Sequence, residues 1–131
     1  MPVCADGLDP KTLLGWCQDA RQVHSGITGM TLSQLDQQRS NGTACLGYLR
    51  GWLDQNTHIR AAAPLLGTCT APDNNGVLLD AFWAVANEPG WVNLPIADGM
   101  MVFMERFCSA QQKIAPPVTE ILAPAPQTFI Q

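Results

Sequence analysis

The strongest chemistry in this 131-residue chain belongs to five cysteines, Cys4, Cys17, Cys45, Cys69 and Cys108, and two histidines, His24 and His58. His24 follows Cys17 by two helical turns on nearly the same face, and a Cys/His pair is the minimum for a thiol nucleophile. Such a thiol is activated by a helix N-terminus or a neighbouring cation. Cys17 instead falls in the middle of an amphipathic stretch, on the side expected to pack. Cys17, His24, Cys45 and His58 can be drawn as a zinc set, but structural zinc sites gather their ligands in local pairs, and no C-x-x-C occurs here. Wide, unpaired spacing of this kind reads as disulfides. Gly-rich phosphate loops, G-x-S-x-G elbows and H-E-x-x-H helices are all missing from the sequence. Asp54, Asp80, Asp98 and Glu105 fall on different helical segments and read as solvated faces. The expectation is a chain without catalytic residues, metal ligands or a cofactor.

Cysteines can only staple what the rest of the chain builds. Hydrophobic residues make up 47% and charged residues 14%, enough apolar material for one compact domain. Seven Lys and Arg stand against eleven Asp and Glu, giving a net charge of -4 with no basic run, which speaks against nucleic acid and against an anionic membrane surface. No stretch reaches the length of a membrane span. The chain opens Met-Pro-Val-Cys-Ala-Asp-Gly, without the charged and apolar regions of a secretory signal. Paired cysteines imply an oxidising compartment, so the expectation is a processed chain whose signal has been removed; the alternative is a cytosolic protein with buried reduced thiols.

The elements are helical. Asp9 is placed as an N-cap before Pro10, and Leu13, Leu14, Cys17 and Ala20 follow at helical spacing, predicting a first helix over 10–24. Thr31 to Gln38 suits a short second helix. The clearest helix is predicted from Thr43 to about Ala62, its start marked by Asn41-Gly42, with Cys45, Leu49, Trp52, Asn56 and Ile59 on one face broadened by Leu46 and Leu53. Gly47 and Gly51 within it form a G-x-x-x-G, which Arg50 and Asp54 exclude from a membrane, and which is expected to pack closely inside the domain, the alternative being across a dimer. Ala63 to Gly76 reads as a loop carrying Cys69. Val77, Leu78, Ala81, Phe82 and Val85 then form a helix that stops by Pro89. A last helix starts near Pro95, buries Ile96, Met100, Phe103, Met104 and Phe107, and ends around Cys108 and Ser109. The prolines at 116, 117, 124 and 126 make the remainder an extended tail, read as disordered, the alternative being that Ile121, Leu122, Phe129 and Ile130 dock in a groove of this protein or a partner. The predicted organisation is therefore a stub (1–8), a helical domain (9–109) and a proline-rich tail (110–131).

The predicted fold class is all-α: a compact four- to five-helix single domain stapled by two disulfides. Five cysteines allow fifteen ways of making two bridges with one thiol left over, so spacing alone does not choose. The economical arrangement joins the first helix to the long one through Cys17 and Cys45, and the loop to the last helix through Cys69 and Cys108. Each would close a loop of tens of residues, worth about 3–4 kcal/mol in the chain-entropy model.

The string Thr43-Ala44-Cys45-Leu46-Gly47-Tyr48-Leu49-Arg50-Gly51 is followed by Cys69 and Pro72, then Asn87-Glu88-Pro89, Leu94-Pro95-Ile96-Ala97 and Arg106-Phe107-Cys108. Together with Leu13-Leu14-Gly15-Trp16-Cys17 it resembles the Rap/Tai family of type VI secretion immunity proteins, over roughly residues 8 to 109. The resemblance implies a small periplasmic all-α protein, HdeA-like in fold, with two intramolecular disulfides, often a homodimer. It implies that the partner is a cognate peptidoglycan amidase effector whose active-site cleft is blocked.

A blocker works through a protruding, braced element rather than through reactive groups. The loop from Pro64 to Gly76 is the candidate, held at Cys69, with Asp73, Asn74 and Asn75 as direct contacts and Leu65 and Leu66 as apolar anchors. An acidic chain also suits a basic cell-wall-binding partner. The alternative function is an HdeA-like acid-stress chaperone, which would expose apolar surface as its carboxylates protonate.

Overall fold

The computed structural model describes residues 8–26 and 31–114. Among these residues there are four α-helices: α1 (Pro10–His24), α2 (Leu32–Ala62), α3 (Asn75–Ala86) and α4 (Ile96–Ile114). Single 3-10 turns at Pro64–Leu66 and Trp91–Asn93 stand before α3 and α4. The all-α class holds, and the described residues contain no strand.

Helix α1 begins where the sequence places it, with the Asp9 carboxylate accepting from the Lys11 N–H at 3.1 Å and Pro10 in the first turn. Its buried residues Leu13, Cys17 and Ala20 recur at helical spacing and face α2 and α3.

Helix α2 departs from expectation. The short helix expected at 31–38 and the long one expected from Thr43 are a single helix of 31 residues. Its start is the Thr31 capping box, in which the Gln34 N–H donates to Thr31 Oγ1 at 3.1 Å and the Thr31 N–H to Gln34 Oε1 at 2.9 Å. Asn41-Gly42, read as a helix start, lies in its middle for a packing reason. A Cβ on Gly42 would stand 3.1 Å from the Ala20 Cα, so glycine lets the two helices touch, and Asn41 Nδ2 reaches across to Asp19 Oδ2 at 2.8 Å. The buried stripe is consequently Gln38, Gly42, Cys45, Leu49 and Leu53. Trp52 and Asn56 are half-buried and Ile59 is exposed, so the apolar face predicted through Ile59 turns away from the core in its last turns. Gly47 and Gly51 are corrected as well: both are exposed, and among the described residues nothing would lie within 4 Å of a Cβ on either. The close helix approach predicted there occurs one turn earlier, at Gly42.

Helix α3 starts at Asn75, two residues before the expected Val77, and buries Leu78, Leu79, Phe82, Val85 and Ala86. The turn after it needs Gly90 at φ 90°, a left-handed conformation. Helix α4 buries Ile96, Met100, Phe103, Met104 and Cys108, close to the predicted face. It continues to Ile114 rather than ending at Ser109, because Ser109-Ala110-Gln111-Gln112-Lys113 contains no helix breaker. The extended tail predicted from 110 is thus helical over 110–114. Its remaining part, with Ile121, Leu122, Phe129 and Ile130, lies outside the described residues, as does Cys4.

The core centres on Phe82, whose ring stands edge-on to Trp91 (5.4 Å, 88°) and to Phe103 (5.3 Å, 81°). Trp91 Nε1 donates to the Gly99 carbonyl at 3.0 Å, and a Cβ at Gly99 would stand 3.0 Å from its ring. Both disulfides follow the economical pairing, Cys17–Cys45 and Cys69–Cys108, with Cα–Cα distances of 5.1 and 5.2 Å.

Candidate functional site

Cys17 is bonded to Cys45 and is 1% exposed, so its thiol is committed. Its drawn partner His24 is exposed at the end of α1, beside Gly76, where a Cβ would overlap the imidazole Nε2. His58 is exposed on α2. Among the described residues no three His, Cys, Asp or Glu side chains gather as metal ligands would.

The five residues proposed as partner contacts fall into two groups on either side of Cys69. Leu65 and Leu66 form the tip of the 3-10 turn Pro64–Leu66, Leu65 at 103% relative exposure and Leu66 at 50%. This tip is braced from α2. The Arg60 guanidinium donates to the carbonyls of Leu66 and Gly67, and Arg60 Nε donates to Asn56 Oδ1 at 3.4 Å. Gly67 takes a φ of 80°, which turns the chain back toward Cys69. The result is an apolar projection whose backbone is held by hydrogen bonds to charged donors, stronger than neutral ones.

Asp73, Asn74 and Asn75 stand at the other end, and much of their polarity is used locally. Asn74 is the N-cap of α3, its Oδ1 accepting from the Gly76 N–H at 2.7 Å and the Val77 N–H at 3.3 Å. Asn75 Oδ1 accepts from Arg50 at 2.6 Å, and the same guanidinium donates to the Pro72 carbonyl at 3.0 Å and the Asp73 carbonyl at 3.3 Å. The Asp73 side chain is exposed. Between the two groups, Thr70 and Gln111 exchange a pair of hydrogen bonds at 3.0 and 2.7 Å, fastening the segment to α4 beside Cys69–Cys108.

Leu66 also lines a groove of about 670 Å³ between the last turns of α2 and the first half of α4. Trp52, Ile59, Met101, Val102 and Met104 supply its apolar walls, with Ile59 and Met101 more than half exposed. Sequence reasoning missed this surface. The available signal was Met101, an apolar residue off the inner face of its helix. It also missed Arg50 and Arg60, whose place on α2 opposite the loop only the fold reveals.

A second, more polar cleft of about 700 Å³ separates α1 from α3. Arg21 spans it, pairing with Asp80 at 3.3 Å and lying 4.7 Å over the Trp83 ring, an arrangement that ties the helices together. Past α3, Arg106 of α4 pairs with Glu88; the hydrogen bond from Arg106 holds the Glu88 carboxyl below the usual glutamate range, and the same bond raises Arg106.

No protein-family model matches this chain, and neither a curated protein nor a solved structure does.

Proposed function

We propose that this chain is a non-catalytic binding protein of an oxidising, extracytoplasmic compartment. In this reading it is an immunity protein of the Rap/Tai kind that occludes the cleft of a peptidoglycan amidase effector of type VI secretion. Three things support the reading: the sequence resemblance, the two disulfides, and the braced apolar projection at Leu65–Leu66. The projection carries the most weight. A leucine standing fully in water at the tip of a turn held by Arg60 is poorly explained by folding, and burying such a side chain in a partner is worth about 1.5–3 kcal/mol. Because the turn is fixed before contact, little ordering entropy is lost on binding. The adjoining groove of Trp52, Ile59 and Met101 widens the apolar area, while Asp73 and the net charge of -4 suit the approach of a basic partner.

The test is to read the neighbouring open reading frame for a Cys/His amidase and to co-express that product with this chain in the periplasm, together with a pull-down of the pair; a neighbourhood without such a gene counts against the immunity reading. The native chain is expected to suppress toxicity and bind. Leu65→Asp with Leu66→Asp is expected to lose binding by a hundredfold or more, about 3 kcal/mol, with unchanged circular dichroism. Unrelieved toxicity with the native chain removes the immunity reading; full binding by the double variant removes the projection from the interface.

A further inference from the structure

The two disulfides sit in different chemical surroundings. Cys17–Cys45 joins α1 to α2 inside the main core, with Cys17 1% and Cys45 0% exposed, and among the described residues no hydrogen-bond donor reaches either sulfur. Cys69–Cys108 lies outside that core cluster and joins the irregular segment after Gly67 to α4. Cys69 keeps 7% exposure with exposed Thr68 and Thr70 as chain neighbours, whereas Cys108 keeps 1%. Among the described residues only the second bridge has a donor on a sulfur: Asn56 Nδ2 lies 3.4 Å from Cys108 Sγ. The amide is oriented for this, because its Oδ1 accepts from Arg60 Nε.

Thiol–disulfide exchange proceeds by attack of a thiolate on one sulfur while the other leaves as a thiolate, and it is faster when the leaving thiolate is better stabilised. Asn56 supplies that stabilisation at Cys108, through a hydrogen bond that strengthens as negative charge develops. Cys69 is the more exposed residue of the pair. The segment around it is otherwise held by the Thr70–Gln111 pair and by the Arg50 and Arg60 contacts, ties that open locally at less cost than a packed helix face.

We propose that Cys69–Cys108 is a thiol-exchange site that acts as a releasable clamp. A low-molecular-weight thiol attacks Cys69 Sγ, Cys108 leaves as a thiolate held by Asn56, and the 63–74 segment comes free while α1, α2 and α3 stay packed around Cys17–Cys45. In the first step the attacking sulfur bonds to Cys69, the electron pair of the S–S bond passes to Cys108, and Cys108 takes up the proton the attacking thiol gave to solvent. A second thiol then attacks the outer sulfur of the mixed disulfide. Cys69 departs as a thiol, the reductant leaves as its own disulfide, and two electrons have been transferred in all. The clamp does not depend on what the segment binds.

Glutathione is the probe for the intact oxidised protein, with timed quenching by N-ethylmaleimide, peptide mapping by mass spectrometry and amide hydrogen exchange on the same samples. Glutathione is expected on Cys69 and maleimide on Cys108 while Cys17–Cys45 remains closed. Amide exchange should rise over 63–74 and stay unchanged over 10–24 and 45–53. Asn56→Ala and Asn56→Asp should each slow the first step, the alanine variant about threefold, as expected for a leaving thiol whose pKa rises by about one unit. Glutathione on Cys108, opening of Cys17–Cys45 first or together, simultaneous loss of protection in α1 and α2, or no reaction at Cys69 each overturns the clamp. An unchanged or faster rate in both Asn56 variants overturns the role given to that amide.

Discussion

The seam between α1 and α2 and the 63–74 segment each contain one disulfide, yet different forces hold them. Along the seam Leu13, Cys17, Ala20, Cys45, Leu49 and Leu53 are all nearly or wholly buried, and Gly42 meets Ala20 backbone to backbone. The bridge there is one contact among many, set in a close-packed interior. In the segment Cys69 is the lone buried residue; its other fastenings are arginine and glutamine side chains reaching backbone carbonyls and amides. Packing makes the seam rigid and chemically shut. Point fastenings let the segment present Leu65 to solvent in one shape while keeping that shape conditional on a few bonds. The two together give a packed frame and an edge free of the frame's demand for burial.

The largest expected effect breaks or sharpens this contrast directly. Chain entropy alone ranks the bridges by loop length, 28 residues against 39, and gives each about 4 kcal/mol with the Cys69–Cys108 bridge slightly ahead. Packing reverses the order. Replacing Cys17 and Cys45 by alanine also leaves a cavity in the core, so the combined loss should exceed about 5 kcal/mol, near the whole stability of a small domain. That variant is expected to lose its helical circular dichroism at ambient temperature. Cys69→Ala with Cys108→Ala should lose about 2–4 kcal/mol and still melt cooperatively, with its altered amide exchange confined to 63–74. Equal losses in the two variants would mean that the segment is as much a part of the packed frame as the seam.

Much of the frame was legible because burial writes a periodic pattern. Asp9-Pro10 and the apolar spacing of α1, α3 and α4 were sufficient to place the helices; the bridges followed from the economy of stapling those helices together, since the cysteine spacing alone does not choose among pairings. The misreadings share a cause. Asn41-Gly42 has the composition of a turn, but its glycine serves a contact with Ala20, a residue of another helix, and no local pattern records a distant neighbour. The same holds for Gly47 and Gly51, whose spacing suggested close packing that the fold places at Gly42 instead. The candidate site was less legible still. Leu65 and Leu66 could be picked from the loop, but Arg50 and Arg60 look like solvated helix residues until the chain folds back over them, and the groove takes its walls from helices some forty residues apart in sequence.

The segment's own fastenings give the next effect down. Arg50→Ala removes donors to Pro72, Asp73 and Asn75 at once and should cost about 1–3 kcal/mol, the range for hydrogen bonds to a charged group. Exchange should rise over 72–76 and leave the α1–α2 seam unchanged. Asn74→Ala removes only the N-cap of α3 and should cost about 1 kcal/mol. If the Arg50 variant instead raises exchange across α2, then Arg50 belongs to the frame and the division between the two regions is drawn in the wrong place.

The smallest effect concerns the Glu88–Arg106 pair, which ties the turn after α3 to α4 and belongs to neither region. Arg106 lowers the folded pKa of Glu88, so this carboxylate contributes stability above its unfolded pKa and loses it as pH falls through the lowered folded value. Arg106 is raised, so its share is complete at any pH below the ordinary arginine value and does not titrate in the working range. Both side chains are about half exposed, which leaves the pair screened by water and salt. Glu88→Gln should therefore lower Tm slightly at neutral pH. The difference should close as pH drops below the carboxylate range, and it should also close at about 1 M salt, where the screening length falls to about 3 Å. Amide exchange over 63–74 is expected to be the same in this variant and in the native chain. A rise there would show that the segment depends on how α4 is anchored at its far end, and the clamp at Cys108 would then have to be understood as a property of the whole helix rather than of the residues that surround the sulfur.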